Sequence, residues 1–334
     1  MLTRPKISDR RIVARLGERF GLRIAQVAFL PIGADVRSAA FRVTTDAGRR
    51  YFLKLRRGAF DEIAAAVPAF LRAQGIRRVI APIATTTGQL WERVDGFTWL
   101  VYPYVEGSNG FETALSRAQW IGLGESLRAI HAAVLPAELA ARVPREDDAP
   151  RWRKRVLAFN QSVGGNAPID PIAARLAAFW AAKRGEIGSI VERAERLAQM
   201  SRGRARDFVI CHGDLHGRNV LVGADDELTI VDWDEPILAP KERDLMFVGG
   251  GVGGVWSQAR EVAWFYEGYG PVEVDPVALA YYRNERIVAD LAAYADQILG
   301  ARGSAEDREE GLRQVISQFR PGGVVEIARR SYPG

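Results

Sequence analysis

The run Cys211-His212-Gly213-Asp214-Leu215-His216-Gly217-Arg218-Asn219-Val220-Leu221-Val222 is followed shortly by Ile230-Val231-Asp232-Trp233-Asp234. A carboxylate precedes a carboxamide, and a second carboxylate follows a short apolar strand. Phosphoryl transfer from ATP calls for this set: a carboxylate near the acceptor hydroxyl, and hard oxygen ligands that hold Mg²⁺ against the phosphates. One loop can present Asp214 and Asn219 on opposite sides of a transferring phosphoryl group, with Asp232 reaching the same metal from the neighbouring strand end. Asp232 alone would read as a strand-end cap; its company argues for chemistry. His212 and His216 invite a zinc reading by their spacing. No acid stands in the needed place between them, and Gly213 and Gly217 disfavour one regular helix. Cys211 reads as a small buried apolar residue rather than a nucleophile.

The pattern H-G-D-x-x-x-x-N, then an apolar pair and Asp, resembles the catalytic loop and metal-binding segment of the aminoglycoside phosphotransferase family, which shares the protein-kinase fold. The resemblance implies an ATP- and Mg²⁺-dependent kinase. It also implies Asp214 as catalytic base, Asn219 and Asp232 as magnesium ligands, His212 as a loop-packing residue and His216 as supporting structure. The kinase comparison then directs attention to Lys54 in Tyr51-Phe52-Leu53-Lys54-Leu55, where strand alternation puts Phe52 and Lys54 on one face. Only five of the 46 basic residues are lysines, so a lysine in an apolar strand is an unusual choice for this chain. It is expected to contact the α- and β-phosphates. Glu62 at the following helix start is its expected ion-pair partner, with Asp61 the alternative. Tyr102-Pro103-Tyr104-Val105-Glu106 fits the linker between lobes. There Pro103 would offer adenine a carbonyl, and Val105 a backbone N–H. The phosphate-covering segment Gly33-Ala34-Asp35-Val36-Arg37-Ser38 departs from protein kinases in having one glycine rather than three.

From Trp233 to Trp256 the chain is similar to the branch of that family that phosphorylates the aminocyclitol spectinomycin. The likeness recurs at Trp264-Phe265-Tyr266-Glu267-Gly268-Tyr269-Gly270, at Tyr281-Tyr282-Arg283-Asn284-Glu285-Arg286-Ile287-Val288 and at Asn109-Gly110-Phe111. It is weakest over residues 137–206. Gly213 departs from the branch, which carries serine there, and agrees with the wider family. In the same region Asp234, Glu235 and Glu242 could pair with ammonium groups, and Trp256 or Tyr266 could stack on a sugar-like ring. Asp244 is expected, as its family equivalent does, to bond the backbone of the catalytic loop. The run 249–254 reads equally as a lip over the acceptor or as close packing. The implied function is O-phosphorylation of an aminocyclitol antibiotic, with spectinomycin foremost. The alternative is a metabolic kinase for choline, homoserine or a sugar. A bacterial stress-type protein kinase and a pseudokinase are weaker readings, the latter opposed by intact Lys54, Asp214, Asn219 and Asp232.

The elements that must position these groups fall in two parts. Residues 24–30, 39–45, 50–55, 89–94 and 97–104 read as five strands, with a helix over 60–74 that Pro68 should kink or break. Asp95-Gly96 marks a hairpin. After residue 106 the pattern turns helical, at 116–133, 152–160, 171–200, 259–269, 276–299 and 306–319, with short strands at 209–210, 220–222 and 229–231. The expected fold is a two-lobed α+β, protein-kinase-like chain. Its five-stranded antiparallel first lobe with one helix covers 1–106 and has its hinge at 102–106. Its helical second lobe covers 107–334, with the acceptor cleft between. A length of 334 residues fits two such parts. Residues 1–106 hold 18 basic and 9 acidic residues, and the remainder 28 and 32. That asymmetry suits an anion in the first part and a cation in the second. No block of five or six basic residues suggests nucleic acid, and one cysteine excludes a disulfide framework. No apolar run is long enough to span a membrane, and the start lacks a signal peptide. A cytoplasmic monomer or weak homodimer, taking an aminocyclitol and ATP, is expected.

Overall fold

A computed structural model describes residues 4–32, 37–147, 149–162, 170–202, 206–300 and 303–332. Residues 33–36 of the expected phosphate-covering loop lie outside the described residues. In chain order the elements begin α1 (Asp9–Phe20), β1 (Ile24–Leu30), β2 (Ser38–Thr45), β3 (Arg50–Arg57) and α2 (Ile63–Ala73). Then come β4 (Glu92–Val94), β5 (Phe97–Pro103), β6 (Gly107–Asn109), α3 (Arg117–Ala132), α4 (Ala137–Ala140), α5 (Arg151–Ser162) and α6 (Pro171–Ser201). The chain continues through β7 (Val209–Cys211), β8 (Val220–Gly223), β9 (Leu228–Ile230), β10 (Ile237–Ala239) and α7 (Glu242–Leu245). It ends in α8 (Ala259–Tyr269), α9 (Pro276–Leu299), α10 (Ala305–Ser317) and α11 (Val324–Arg330). Two compact units result. The first joins Met1–Ser108 with Val134–Val143 and Val220–Pro236; the rest of the chain forms the second.

In the first unit the five-stranded antiparallel sheet has the order β1-β2-β3-β5-β4. Alternation along β3 buries Tyr51, Leu53 and Leu55 beneath α1, and sends Phe52, Lys54 and Arg56 to the other face. Sequence reading missed α1. Its apolar stripe is only Ile12, Leu16 and Phe20 within a charge-rich segment. Ser8 caps its start by accepting from the Arg11 N–H, and Gly21 at φ +66° closes its end. The expected break at Pro68 is not observed, for α2 runs through it as one helix. Pro68 and its neighbours Ala64, Ala65, Val67 and Leu71 are buried, and this packing outweighs the one backbone bond a proline forfeits.

The second unit is built on the long helices α6 and α9, both started by an aspartate N-cap followed by proline. Trp180, Ile187 and Ile190 of α6 share a core with Ile287, Val288 and Leu291 of α9 and with Leu312 and Val315 of α10. Helices α3 and α8 touch backbone to backbone. A Cβ on Gly124 would lie 2.1 Å from the Phe265 carbonyl oxygen, and one on Gly268 1.9 Å from that of Ile121. Only glycine allows that approach. In the 249–254 run, Gly253 packs against the Phe111 ring, so part of it serves close packing.

The second unit also holds a strained acid. Glu285 of α9 is buried, its Oε2 3.5 Å from Arg153 Nε and without a hydrogen bond. Burial, against the pull of Arg153, pushes its carboxyl up to about 7. Between the ordinary value of 4.5 and 7 the folded chain therefore holds a proton that the unfolded chain has released. Stability falls as pH rises through that window. Glu285→Gln, which leaves Arg153 its contact with Glu195 at 3.2 Å, should raise Tm by a few °C at about pH 8 and lose that advantage by about pH 5. An equal Tm difference at both pH values, read by calorimetry, would contradict this.

Candidate active site

In the first unit three of the expected residues meet. Lys54 Nζ, projecting from β3, donates to Asp232 Oδ1 at 2.7 Å and to Asp234 Oδ1 at 2.8 Å. The other oxygen of Asp234 accepts from Arg56 Nη1 at 2.9 Å, two residues along the same strand face. Burial works against the lysine's charge, but Asp232 and Asp234 more than offset it and raise its pKa. Burial likewise pushes up the phenol of neighbouring Tyr102. Asp232 adopts φ +64°, a left-handed conformation that short polar residues tolerate better than others.

The expected Lys54–Glu62 pair is not formed. Glu62 sits at the start of α2 and accepts from Arg142 at 2.9 Å, while Asp61 takes the Ile63 N–H at 3.1 Å as a helix-end acceptor. The two carboxylates of the 232–234 segment hold the lysine instead. Asp234, expected to meet an acceptor ammonium, is thus already shared by Lys54 and Arg56. Glu235 beside it is exposed. At the expected linker, Pro103 is the exposed last residue of β5, in register with Tyr51, and Val105 follows in irregular backbone, partly buried.

In the second unit the loop after β7 carries the remaining groups. Gly213 has φ +83°, so glycine suits this turn. The buried Asn219 donates through Nδ2 to the Asp214 carbonyl at 2.8 Å, an arrangement that leaves its amide oxygen as the atom for a cation. The Asp214 carboxylate is bonded by Arg286 of α9, a partner that sequence reading did not find. Burial disfavours the charge on Asp214, but Arg286 and His216 outweigh it and hold its carboxyl well below the usual range.

Beneath the loop lies a buried network. Asp244, fully buried, accepts from the His212 N–H and the Gly213 N–H at 2.8 Å each, as expected of it. Its Oδ2 is 3.2 Å from His131 Nε2, and His131 Nδ1 is 2.7 Å from the Tyr269 hydroxyl. The Gly124–Gly268 approach is what lets α3 and α8 bring those two rings together. His131, Cys211 and Asp244 also lie close enough to hold a metal among them. The hydrogen bonds already use the ring nitrogens and the carboxylate, and burial pushes the Cys211 thiol up, which disfavours a thiolate there. The expected stacking platform Trp256 is 4% exposed and packs edge-on to Trp120, at 5.0 Å between centroids, because the apolar ring is drawn into the core.

A model of a phosphotransferase enzyme family matches residues 28–282. The chain belongs to that family. It is therefore a kinase acting on an alcohol, with ATP as its phosphoryl donor. The solved complex of spectinomycin phosphotransferase APH(9)-Ia with ADP and spectinomycin is similar at TM-score 0.93 and 36% identity. That match covers 98% of this chain and 99% of the other. The AMP-bound form of that enzyme matches at TM-score 0.88 and 35% identity over 97% and 98%. Protein StrN of Streptomyces griseus is 27% identical over 96% of this chain and 97% of its own. An amicoumacin kinase complex at 15% identity, covering 97% of this chain and 94% of that one at TM-score 0.62, shares the fold. Among the described residues no helix is long and apolar enough to cross a membrane.

Proposed function

We propose that this kinase transfers the γ-phosphoryl group of ATP to a hydroxyl of spectinomycin or a close aminocyclitol, and so confers resistance in the cytoplasm. The single observation that carries the reading is the full-length likeness to the spectinomycin phosphotransferase complex. In this reading Asp214 orients the acceptor hydroxyl and takes its proton. Asn219 and Asp232 offer hard oxygens of the kind magnesium prefers, and the bound ion would neutralise phosphate charge. Lys54 contacts the phosphates, exchanging one of its two carboxylate partners for them, while Asp234 stays with Arg56. Pro103 and Val105 supply the adenine contacts, and Glu62 pairs with Arg142 rather than serving the nucleotide.

Spectinomycin carries methylamino groups and arrives as a compact cation. The acidic excess after residue 106 has the matching sign, and exposed Glu235 is the acceptor contact we favour. Trp256, drawn into the core, would shape the site from below rather than stack. The test is growth: expressed in a sensitive bacterium, the protein should raise spectinomycin tolerance and leave kanamycin tolerance unchanged, since kanamycin's three separately linked rings need a longer groove than spectinomycin's compact fused ones. Tolerance to kanamycin alone would overturn the assignment of acceptor.

A further inference from the structure

Arg286 reaches the catalytic loop from a helix 72 residues further along the chain, and its guanidinium bonds Oδ1 of Asp214. One turn along α9, Asp290 Oδ1 lies 2.9 Å from its Nε. The buried ring of Phe247 lies beside the guanidinium, its centroid 5.5 Å from the Arg286 Cζ. The other oxygen of Asp214 faces His216, whose Nε2 is 3.5 Å away. That imidazole is fixed in turn, stacked on Phe111 at 5.4 Å and edge-on to Phe247 at 6.2 Å. The Asp214 carboxylate therefore has one oxygen tied to α9, where Ile287 and Val288 are core residues packed with α6. The carboxylate of the loop after β7 is thereby tied to a helix of its unit's core.

The charges also balance usefully. Two carboxylates around one guanidinium leave a net negative charge, so the clamp does not repel a cationic acceptor. A lysine would be a poorer choice, since one ammonium lacks the planar fork that serves two carboxylates at once.

We infer that Arg286 is the positioning residue for Asp214, tying down one carboxylate oxygen so that the other is left for the acceptor hydroxyl, with Asp290 steadying the guanidinium. This rests on Asp214 being the catalytic base. The test uses the full-length protein, Arg286→Met and Arg286→Lys, each alone and combined with Asp214→Asn. Turnover is read as ADP release with whichever acceptor the wild type uses. Arg286→Met should lower kcat at least ~10-fold with both KM values within about twofold of wild type, because misplacing a reacting group costs rate rather than binding. Arg286→Lys should recover part of that loss. On the Asp214→Asn background Arg286→Met should cost less than about twofold more, since residues that act as a unit are not additive.

An unchanged kcat, a loss confined to KM, or the same factor lost on both backgrounds would overturn the inference. Should Arg286→Met fail to fold, Arg286→Lys carries the same comparison between backgrounds. Full turnover in Asp214→Asn alone would instead remove the base, and with it the reading on which this one rests.

Discussion

Asp214→Asn should turn over at least ~10²-fold more slowly than wild type while binding ATP and magnesium almost normally, the usual scale for losing a positioned base. The substitution keeps size and shape and removes only the charge. Arg286 then still has Asp290 at 2.9 Å, and Asp244 still accepts from the His212 and Gly213 N–H groups, so the loop keeps its backbone support. In a loose phosphoryl-transfer transition state the carboxylate orients the hydroxyl as much as it accepts its proton. The loss should therefore fall on kcat, with the KM for ATP held. Turnover equal to wild type would take Asp214 out of the mechanism.

Asp232→Ala should be close to inactive, and Asn219→Ala less impaired with a raised magnesium requirement, because only the first removes a charge from the ion. Folding should survive in both. Lys54 retains Asp234 at 2.8 Å when Asp232 is gone. The left-handed backbone at 232 complicates the alanine variant, since a residue without a polar side chain is disfavoured there by roughly 1–2 kcal/mol. Asp232→Asn separates the two effects. It suits the same backbone, so near-inactivity in both variants assigns the loss to charge. Chelation of magnesium with EDTA should stop the wild-type reaction; a rate that persists would contradict the oxygen-ligand assignment.

Much of this was legible in the chain because the relevant signals are local. The strand alternation around Lys54 and the Asp–Asn spacing of the loop are read within a dozen residues, and the five strands follow from hairpin turns and apolar runs. What escaped depends on distance or on dilution. Arg286 is one of many arginines, and nothing near it in sequence says that its fork meets Asp214. Asp234 reads as a partner for an acceptor ammonium group, and its engagement by Lys54 and Arg56 joins residues far apart in the chain. The same distance hid the choice of Asp232 and Asp234 over Glu62 as partners of the lysine. Helix α1 was diluted: its buried stripe of Ile12, Leu16 and Phe20 stands among four arginines and two acids, and only the sheet supplies the surface that buries it. His131 and Tyr269 were invisible for a further reason, since their meeting depends on two glycines that let helices α3 and α8 touch.

The identity of the acceptor shows in the mass of the product. Purified protein incubated with ATP, magnesium and spectinomycin should yield antibiotic carrying one added phosphate, with ADP formed in equal amount and kanamycin left unmodified. Spectinomycin recovered without phosphate, from a preparation that actively phosphorylates choline, homoserine or a sugar, would contradict it.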